Sequence, residues 1–334
     1  MKLLILNRLD VVHLLPMEVC LELVAEGLEA LGRGEAVNPL RPIMWLPDKR
    51  GLLGLMPGYV EGREALGLKV ISIFPGNHGT EYDSHQGGVL LFDTEHGCLR
   101  ALIDAGAVTA IRTAAASGVA TRLLAREDAG DLALLGSGVQ ARTHLEAMRV
   151  VREIRRVRVW SRTTAHVQVF AKEESERQGV AIEVVESVQE AVEGADLICT
   201  LTASPKPILM GDWISPGAHI NAVGASISTT RELDTAAVVG SRLFVDRRES
   251  TVNESGDFLI PKKEGAIGED HIVGEIGEIL LEQIGGRTSG EEVTLFKSLG
   301  LAVEDVVPAH YLYHRAKEEG VGTWVDFGDD VDEE

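Results

Sequence analysis

The sequence predicts an α/β protein that contains two kinds of sheet. Between residues 43 and 102, short β-like runs separated by Pro, Gly and Asn turns predict an antiparallel meander. From Asp131 onward, strand-like and helix-like segments alternate, which predicts a parallel sheet with right-handed crossovers. With 334 residues, the chain is long enough for one or two domains with sizeable cores.

The first part of the chain combines predicted helices with the meander. Apolar residues at helical spacing, with glutamates between them, predict an amphipathic helix over residues 17–31. The β-like runs cover residues 51–56, 68–74 and 88–92. Small residues at helical spacing over 105–125 predict a closely packed helix that leads into the second part.

The second part consists of predicted strands with helices between them. The strands cover residues 132–135, 157–160, 182–185, 197–201, 219–223 and 243–245. Predicted helices follow the first two strands, up to residues 149 and 172, and others cover 188–192 and 276–281. A final helix is predicted over residues 302–319, before a solvated acidic end at 326–334.

The composition argues against several classes of function. Lys and Arg number 32 against 52 Asp and Glu, a net charge of −20, and such an acidic surface repels nucleic-acid phosphates and anionic lipids. No stretch approaches the roughly 18 apolar residues of a membrane span, and no basic leader opens the chain. The cysteines Cys20, Cys98 and Cys199 are far apart and odd in number, which disfavours a disulfide framework. We therefore expect a cytoplasmic protein without nucleic-acid or membrane partners.

A glycine-rich segment predicts a dinucleotide site. The segment Gly136-Ser137-Gly138-Val139-Gln140-Ala141 has the pattern G-x-G-x-x-A and lies between a predicted strand and a predicted helix. Gly136 permits a tight turn, Gly138 lets the backbone approach a pyrophosphate, and Ala141 allows close packing of helix on strand. The alternative is a glycine turn without a ligand, but the βαβ context favours dinucleotide binding.

The end of the second strand of this βαβ unit favours NADP(H) over NAD(H). An NAD site normally has Asp or Glu there to bind the ribose 2′-hydroxyl. This sequence has Trp160-Ser161-Arg162-Thr163 instead, and an arginine offers paired donors to a 2′-phosphate. The alternatives are NAD(H) and a solvated strand end with an ordinary arginine.

Two cations interrupt runs of small or apolar residues. Arg112 stands alone in a run of small residues, and an unpaired buried charge is costly, so it requires a carboxylate from either the protein or a substrate. Lys69 interrupts an apolar run and shares a strand face with Ile71 and Ile73. It either lines a polar site or is a solvated lysine on an edge strand. Arg41 is less informative by itself.

Other chemistries have weaker support. His310, His314 and Glu318 recur at i, i+4 and i+8 on the final predicted helix, a spacing that permits metal binding from one face. No H-E-x-x-H pattern accompanies them, so a surface helix is favoured and we predict no metal site. The Gly-x-Ser-x-Gly signature of serine hydrolases is missing as well.

A series of motifs resembles the ornithine cyclodeaminase/mu-crystallin family. They occupy residues 51–57, 84–86, 89–92, 112–115, 136–141, 160–163, 187–191, 216–226, 231–234, 254–257 and 296–300. Because the motifs run in order over nearly the whole chain, the sequence is identified as a member of this family, nearer to its mu-crystallin side than to its cyclodeaminase side.

The resemblance implies an architecture and a site. It implies a homodimer in which a Rossmann NAD(P)-binding domain, residues 121–302, is inserted into an α+β substrate-binding and dimerisation domain, residues 1–120 and 303–334. Arg41, Lys69 and Arg112 would hold the carboxylate of an imino or amino acid beneath the nicotinamide, with Ser84 and His85 lining the pocket. The residues that it places around the cofactor are Arg112, Thr113, Gly136, Ser137, Gly138, Val139, Gln140, Ser161, Arg162, Thr163, Thr200, Leu201, Thr202, Val223 and Ser226.

One position departs from the cyclodeaminases of the family. They have an aspartate shortly after a Val-Gly pair, where this sequence has Ser226. A carboxylate can act as a base or hold a cationic amine, whereas a hydroxyl with a far higher pKa does neither well. We therefore predict an NAD(P)H-dependent ketimine (imine) reductase or amino-acid dehydrogenase, an oxidoreductase of amino-acid metabolism acting on C=N and CH–NH bonds. Lys69 would stabilise the substrate carboxylate or protonate its nitrogen. The alternatives are an ammonia-eliminating, NAD-retaining ornithine cyclodeaminase and a non-catalytic mu-crystallin-like protein that binds NADPH or a small ligand.

Overall fold

The structure, a computed structural model, describes residues 2–77 and 80–328 and divides into two compact units. Unit 1 consists of Met1–Arg112 with Leu301–Glu334, and unit 2 consists of Thr113–Gly300. The last six residues of the predicted acidic end lie outside the described residues. Within the described part of the chain, no helix is long and apolar enough to cross a membrane.

The strands, in chain order, are β1 (Lys2–Leu6), β2 (Ala36–Val37), β3 (Ile43–Trp45), β4 (Leu52–Val60), β5 (Ala65–Ile73), β6 (His85–Phe92), β7 (Leu99–Asp104), β8 (Asp131–Leu135), β9 (Arg156–Trp160), β10 (Ile182–Val184), β11 (Leu197–Thr200), β12 (His219–Ala222), β13 (Ser241–Val245), β14 (Ile272–Glu275), β15 (Val293–Lys297) and β16 (Thr323–Asp326). The α-helices are α1 (Arg8–Leu14), α2 (Met17–Arg33), α3 (Ala105–Leu124), α4 (Val139–Val151), α5 (Thr164–Gln178), α6 (Val188–Val192), α7 (Thr235–Val239), α8 (Arg248–Glu254), α9 (Gly256–Lys263), α10 (Ile276–Leu280) and α11 (Val303–Glu319).

Unit 1 is built on a sheet with strand order β16-β1-β7-β6-β5-β4-β2, and β3 pairs with β4. Strands β4 to β7 form the antiparallel meander that the sequence predicts. One face of the meander packs against α11. A Cβ atom at Gly67 would lie 2.8 Å from Cγ1 of Val306, so this glycine lets α11 lie directly on β5.

Unit 2 contains a sheet in which every neighbouring pair is parallel, in the order β10-β9-β8-β11-β12-β15-β13-β14. The chain starts at β8, moves outward to β10 and then returns to the other side of β8 at β11. The strand order therefore reverses between β8 and β11. In doubly wound sheets, ligands bind at such a reversal, beyond the carboxyl ends of the strands.

Several elements were not predicted from the sequence. No element is predicted over residues 1–16, 248–263, 272–275 or 293–297, where the structure has β1, α1, α8, α9, β14 and β15. These strands are short and are defined by distant partners: β1 pairs with β7 and β16, and β15 lies between β12 and β13. Local periodicity carries little information about such pairing.

Candidate active site

The glycine-rich segment forms a tight turn between β8 and α4. Gly136 has φ = +134°, its N–H donates to the Trp160 carbonyl at 2.8 Å, and a Cβ there would lie 2.8 Å from the Leu201 carbonyl oxygen. Gly138 precedes α4, has open space where a Cβ would point, and provides no side-chain cap. Ala141 is fully buried. The first amides of α4 are thus free of a capping side chain, as a bound pyrophosphate requires.

Polar contacts fix the first turn of α4. The Nδ1–H of His144 donates to the Gln140 carbonyl at 2.8 Å, and Nε2 accepts from the Ser117 hydroxyl at 3.0 Å. Burial lowers the pKa of His144 to about 4, so this imidazole is neutral. The side-chain oxygen of Gln140 is buried without a hydrogen-bond partner among the described residues. Ser137 is half-buried and Val139 is exposed. An unsatisfied buried oxygen beside this turn fits a site that a polar ligand completes.

The segment after β9 presents an exposed guanidinium. Ser161 is half-buried, and Arg162 and Thr163 are exposed. Arg162 makes no hydrogen bond or ion pair to any described residue, although many arginines of unit 2 pair with carboxylates. Residues 160–163 at this strand end include no carboxylate that could bind a ribose 2′-hydroxyl. The guanidinium of Arg162 instead suits a phosphate on the ribose 2′-oxygen.

The loops after β11 and β12 are tied to Glu232. The Thr200 hydroxyl donates to Glu232 at 2.7 Å and the Thr202 hydroxyl at 2.6 Å, and Thr200 is fully buried. Both hydroxyls therefore form hydrogen bonds within the protein. We expect these threonines to shape the cofactor site through their backbone. Val223 and Ser226 lie half-buried in the loop after β12.

In unit 1, Lys69 is a buried lysine on a central strand. It lies on β5 between β4 and β6, is 1% exposed, and its Nζ is 2.7 Å from Asp305 Oδ2 and 3.3 Å from Thr109 Oγ1. Burial and the Arg112 charge lower the pKa of Lys69 to about 8, although Asp305 opposes them. The interpretation as a solvated edge-strand lysine is therefore wrong.

Arg112 has protein carboxylates as its partners. Its Nε donates to Asp305 Oδ1 at 2.9 Å and its Nη1 to Glu304 Oε2 at 2.6 Å. Nη2 has no hydrogen bond to a described residue. The ion pairs with the two carboxylates raise the pKa of Arg112 despite its burial. Of the two kinds of partner that the sequence left open, a protein carboxylate or a substrate carboxylate, the structure shows protein carboxylates. Thr113, the next residue of α3, is buried.

Glu304 and Asp305 were not predicted from the sequence. Both are fully buried in the first turn of α11 and form, with Lys69 and Arg112, a cluster of two cations and two carboxylates. The available signal was an acidic pair inside an apolar run, residues 301–307, directly after the motif at 296–300. Charged residues in such a run are rarely buried unless they are paired.

Of the other predicted substrate residues, His85 is the one that interacts electrostatically with this cluster. The Ser84 hydroxyl is 3.0 Å from Nδ1 of His85, the first residue of β6. Desolvation and then the charge of Lys69 lower the pKa of His85, which places this imidazole within electrostatic reach of Lys69. Arg41 is half-buried in the segment before β3 and is not a partner in the Lys69 and Arg112 ion pairs.

The histidines of α11 form a pair. Nε2 of His314 lies 3.2 Å from Nε2 of His310, and burial lowers the pKa of His310 to about 4. Among residues 2–77 and 80–328, no three or more His, Cys, Asp or Glu side chains are grouped so that they could hold a metal ion.

Comparison with known proteins decides the family. The model of the ornithine cyclodeaminase/mu-crystallin family matches residues 1–320. The chain belongs to this family. A ketimine reductase mu-crystallin from Mus musculus is 42% identical over 299 residues, which are 89% of this chain and 90% of that protein. The membership that the motifs predict is therefore confirmed.

Solved structures similar to this chain match it over nearly its full length. A Δ1-pyrroline-2-carboxylate reductase from Thermococcus litoralis, in complex with NADH and L-proline, has a TM-score of 0.94 and 42% identity, covering 96% of this chain and 99% of its own. An archaeal alanine dehydrogenase dimer with bound NAD has a TM-score of 0.92 and 31% identity, covering 98% of this chain and 100% of its own. The predicted α/β fold class is confirmed.

Proposed function

We propose that this protein is an NAD(P)H-dependent imine reductase that converts a small α-imino acid into the amino acid. The observation that carries the proposal is the buried lysine of unit 1, whose pKa of about 8 suits proton transfer near neutral pH. Support comes from the relatives, which are named as a ketimine reductase and a Δ1-pyrroline-2-carboxylate reductase, the latter in complex with L-proline.

Reduction of a C=N bond adds a hydride to carbon and a proton to nitrogen. A bound nicotinamide would supply the hydride. Lys69 is largely protonated at neutral pH, and its Nζ would supply the proton, directly or through water. In the opposite direction, the neutral amine of Lys69 would accept a proton from the amino acid.

Arg112 is suited to orient a substrate carboxylate. Asp305 and Glu304 fix its guanidinium through Nε and Nη1, so Nη2 is held in one direction before any substrate binds. Such pre-organisation lowers the entropy cost of placing the reacting carbon and nitrogen. Arg41 would provide the second cation of the carboxylate clamp.

Unit 2 supplies the residues for cofactor binding, with NADP(H) preferred. The turn at Gly136 and Gly138 and the uncapped start of α4 suit a pyrophosphate. The exposed guanidinium of Arg162, which has no partner among the described residues, suits a 2′-phosphate, which only NADP(H) carries. Ser161 and Thr163 beside it add hydroxyl donors.

The outward face of the meander supports a homodimer. Seven apolar residues on the face of β4, β5 and β6 that does not pack on α11 are only half-buried: Leu53, Leu55, Leu66, Leu68, Val70, Leu90 and Phe92. A contiguous apolar sheet face of this kind marks an interaction surface. Support comes from the alanine dehydrogenase relative, which is a dimer.

Two other activities are less well supported. A cyclodeaminase needs a group that handles the substrate amine, and a hydroxyl at Ser226 replaces the carboxylate that the family's cyclodeaminases use there. A protein that only binds NADPH has no need of Lys69 and Arg112 in a fully buried charge cluster, since burying these groups costs stability.

The test is oxidation of NADPH and NADH, followed by absorbance, with a panel of cyclic imino acids and of 2-oxo acids plus ammonia or methylamine. We expect oxidation that depends on one class of imine and is lost in Lys69→Met. Ornithine is tested in parallel for ammonia release. Ammonia release without net cofactor oxidation would establish the lyase instead, and cofactor binding without turnover of any substrate would establish the binding protein.

A further inference from the structure

Unit 2 contains a buried ionic network that the proposed mechanism does not use. It consists of Glu232, Asp257 and Lys297, with 0%, 3% and 1% of their surfaces exposed. Lys297 ends β15, Glu232 lies in the segment before α7, and Asp257 lies in the first turn of α9. Three charges at the carboxyl edge of a parallel sheet are costly to bury unless their partners are fixed.

Glu232 accepts hydrogen bonds from two loops at once. Oε1 accepts from the Thr202 N–H at 2.7 Å and from its hydroxyl at 2.6 Å. Oε2 accepts from the Thr200 hydroxyl at 2.7 Å and from the Gly224 N–H at 2.8 Å. One carboxylate therefore joins the loop after β11 to the loop after β12.

Lys297 and Asp257 complete this connection. Nζ of Lys297 donates to the carbonyls of Ala222 at 3.1 Å and Ala225 at 2.6 Å, and lies 3.0 Å from Asp257 Oδ2. Asp257 Oδ1 in turn accepts the N–H groups of Glu232 and of the residue after it, at 2.9 and 3.1 Å. The loop after β12 is thus held through its carbonyls by Lys297 and through an amide by Glu232.

The loops after β11 and β12 pack closely against each other. A Cβ at Gly224 would lie 2.1 Å from the Thr202 carbonyl oxygen, so the two loops touch backbone to backbone. The turn at Gly136 contacts the same group of loops, because a Cβ there would meet the Leu201 carbonyl at 2.8 Å. The network therefore sets the shape of a surface that continues from the pyrophosphate turn.

The topology indicates which half of the cofactor this surface receives. The pyrophosphate turn follows β8, and Arg162, suited to the 2′-phosphate of the adenosine, follows β9 on one side. The loops after β11 and β12 lie on the other side of β8. A dinucleotide bound across the strand-order reversal therefore extends its nicotinamide half over these two loops.

We propose that Glu232, Asp257 and Lys297 are positioning residues that hold the loops after β11 and β12 in the shape required by the nicotinamide half of the cofactor. The inference rests on the proposed function, since it assumes a nicotinamide cofactor. None of the three residues needs to touch the cofactor, because they act through the backbone at Thr202 and Gly224.

The test compares Glu232→Gln with a matched control, Asp196→Asn. Glutamine keeps the shape of Glu232 but turns an NH₂ group toward donors. Asp196 directly precedes β11, is largely buried, and accepts the N–H groups of Gly130 and Asp131 at 2.9 and 3.0 Å, so its loss perturbs the opposite end of the same strand. Binding is measured by fluorescence titration of NADPH and by calorimetric titration of 2′,5′-ADP, which lacks the nicotinamide half.

We expect Glu232→Gln to raise the dissociation constant of NADPH about tenfold or more and to leave that of 2′,5′-ADP within about twofold. Asp196→Asn should change neither dissociation constant by more than about twofold, although we expect it to lose about as much thermal stability as Glu232→Gln. Unchanged NADPH affinity in a folded Glu232→Gln protein would overturn the inference. Failure of the wild-type protein to bind NADPH or NADH would instead overturn the proposed function.

If Glu232→Gln does not fold, Thr200→Val provides the test. This change removes one of the four donors to Glu232, retains the carboxylate and nearly preserves side-chain volume. We expect this change to raise the dissociation constant of NADPH about threefold and to leave that of 2′,5′-ADP unchanged. Equal weakening of both ligands, or of neither, would contradict the positioning role.

Discussion

Replacement of Asp305 by asparagine tests whether Lys69 delivers the proton. Asp305 Oδ2 lies 2.7 Å from Nζ of Lys69, and its negative charge raises the pKa of Lys69. Burial and the charge of Arg112 lower that pKa more strongly, and the net value is about 8. At this distance and an effective dielectric of about 20, the attraction is on the order of 6 kcal/mol, and about 1.4 kcal/mol corresponds to one pH unit. Because relaxation and water entry absorb much of the loss, we expect the midpoint of the pH profile to fall by about one to two units.

The direction of the effect follows from the role of Lys69 as an acid. Imine reduction needs the ammonium form, so kcat of the wild-type protein should fall as pH rises through about 8. Amino-acid oxidation needs the free amine and should rise through the same range. In Asp305→Asn both midpoints should move to lower pH, because the ammonium loses its nearest carboxylate.

The assay is kcat at saturating imino acid and NADPH across pH, because kcat reports the groups that titrate in the enzyme–substrate complex. Glu304→Gln is the matched control: Glu304 is equally buried, lies on the same turn of α11 and pairs with Arg112, but contributes less to the pKa of Lys69. An unshifted midpoint in Asp305→Asn, or an equal shift in both variants, would refute the assignment of Lys69 as the proton donor.

Three further predictions follow from single side chains. Arg112→Ala should lower the free energy of unfolding in urea by about 3–5 kcal/mol, because two buried carboxylates lose their guanidinium; a loss below about 1 kcal/mol would show that the cluster reorganises. Arg162→Ala should raise the KM for NADPH about tenfold or more, leave that for NADH within about twofold and leave stability unchanged, since Arg162 is exposed; equal effects on both cofactors would exclude a 2′-phosphate contact. Leu68→Asp should convert a dimer to a monomer in light scattering, whereas Val169→Asp on the exposed face of α5 should not; a persisting Leu68→Asp dimer would place the interface elsewhere.

The sequence by itself determined the local elements and the motif-bearing turn. Helical spacing predicted α2, α3 and α11, and the alternation after Asp131 predicted the parallel sheet, because these patterns report directly on neighbouring residues. The pattern G-x-G-x-x-A predicted the turn at Gly136, since a positive φ and a close carbonyl both demand glycine there. The family followed from motifs spread along the chain.

Only the tertiary structure decided how the buried charges are paired. Lys69 and Arg112 were suspected from their apolar surroundings, but their partners Glu304 and Asp305 lie about 190 residues further along than Arg112. Glu232, Asp257 and Lys297 likewise come from three separate segments; each lies in a motif of the family, but the motifs do not show that the three charges meet. A sequence shows that a charge in an apolar run needs a partner, whereas the choice of partner depends on which distant elements the sheet and helices bring together.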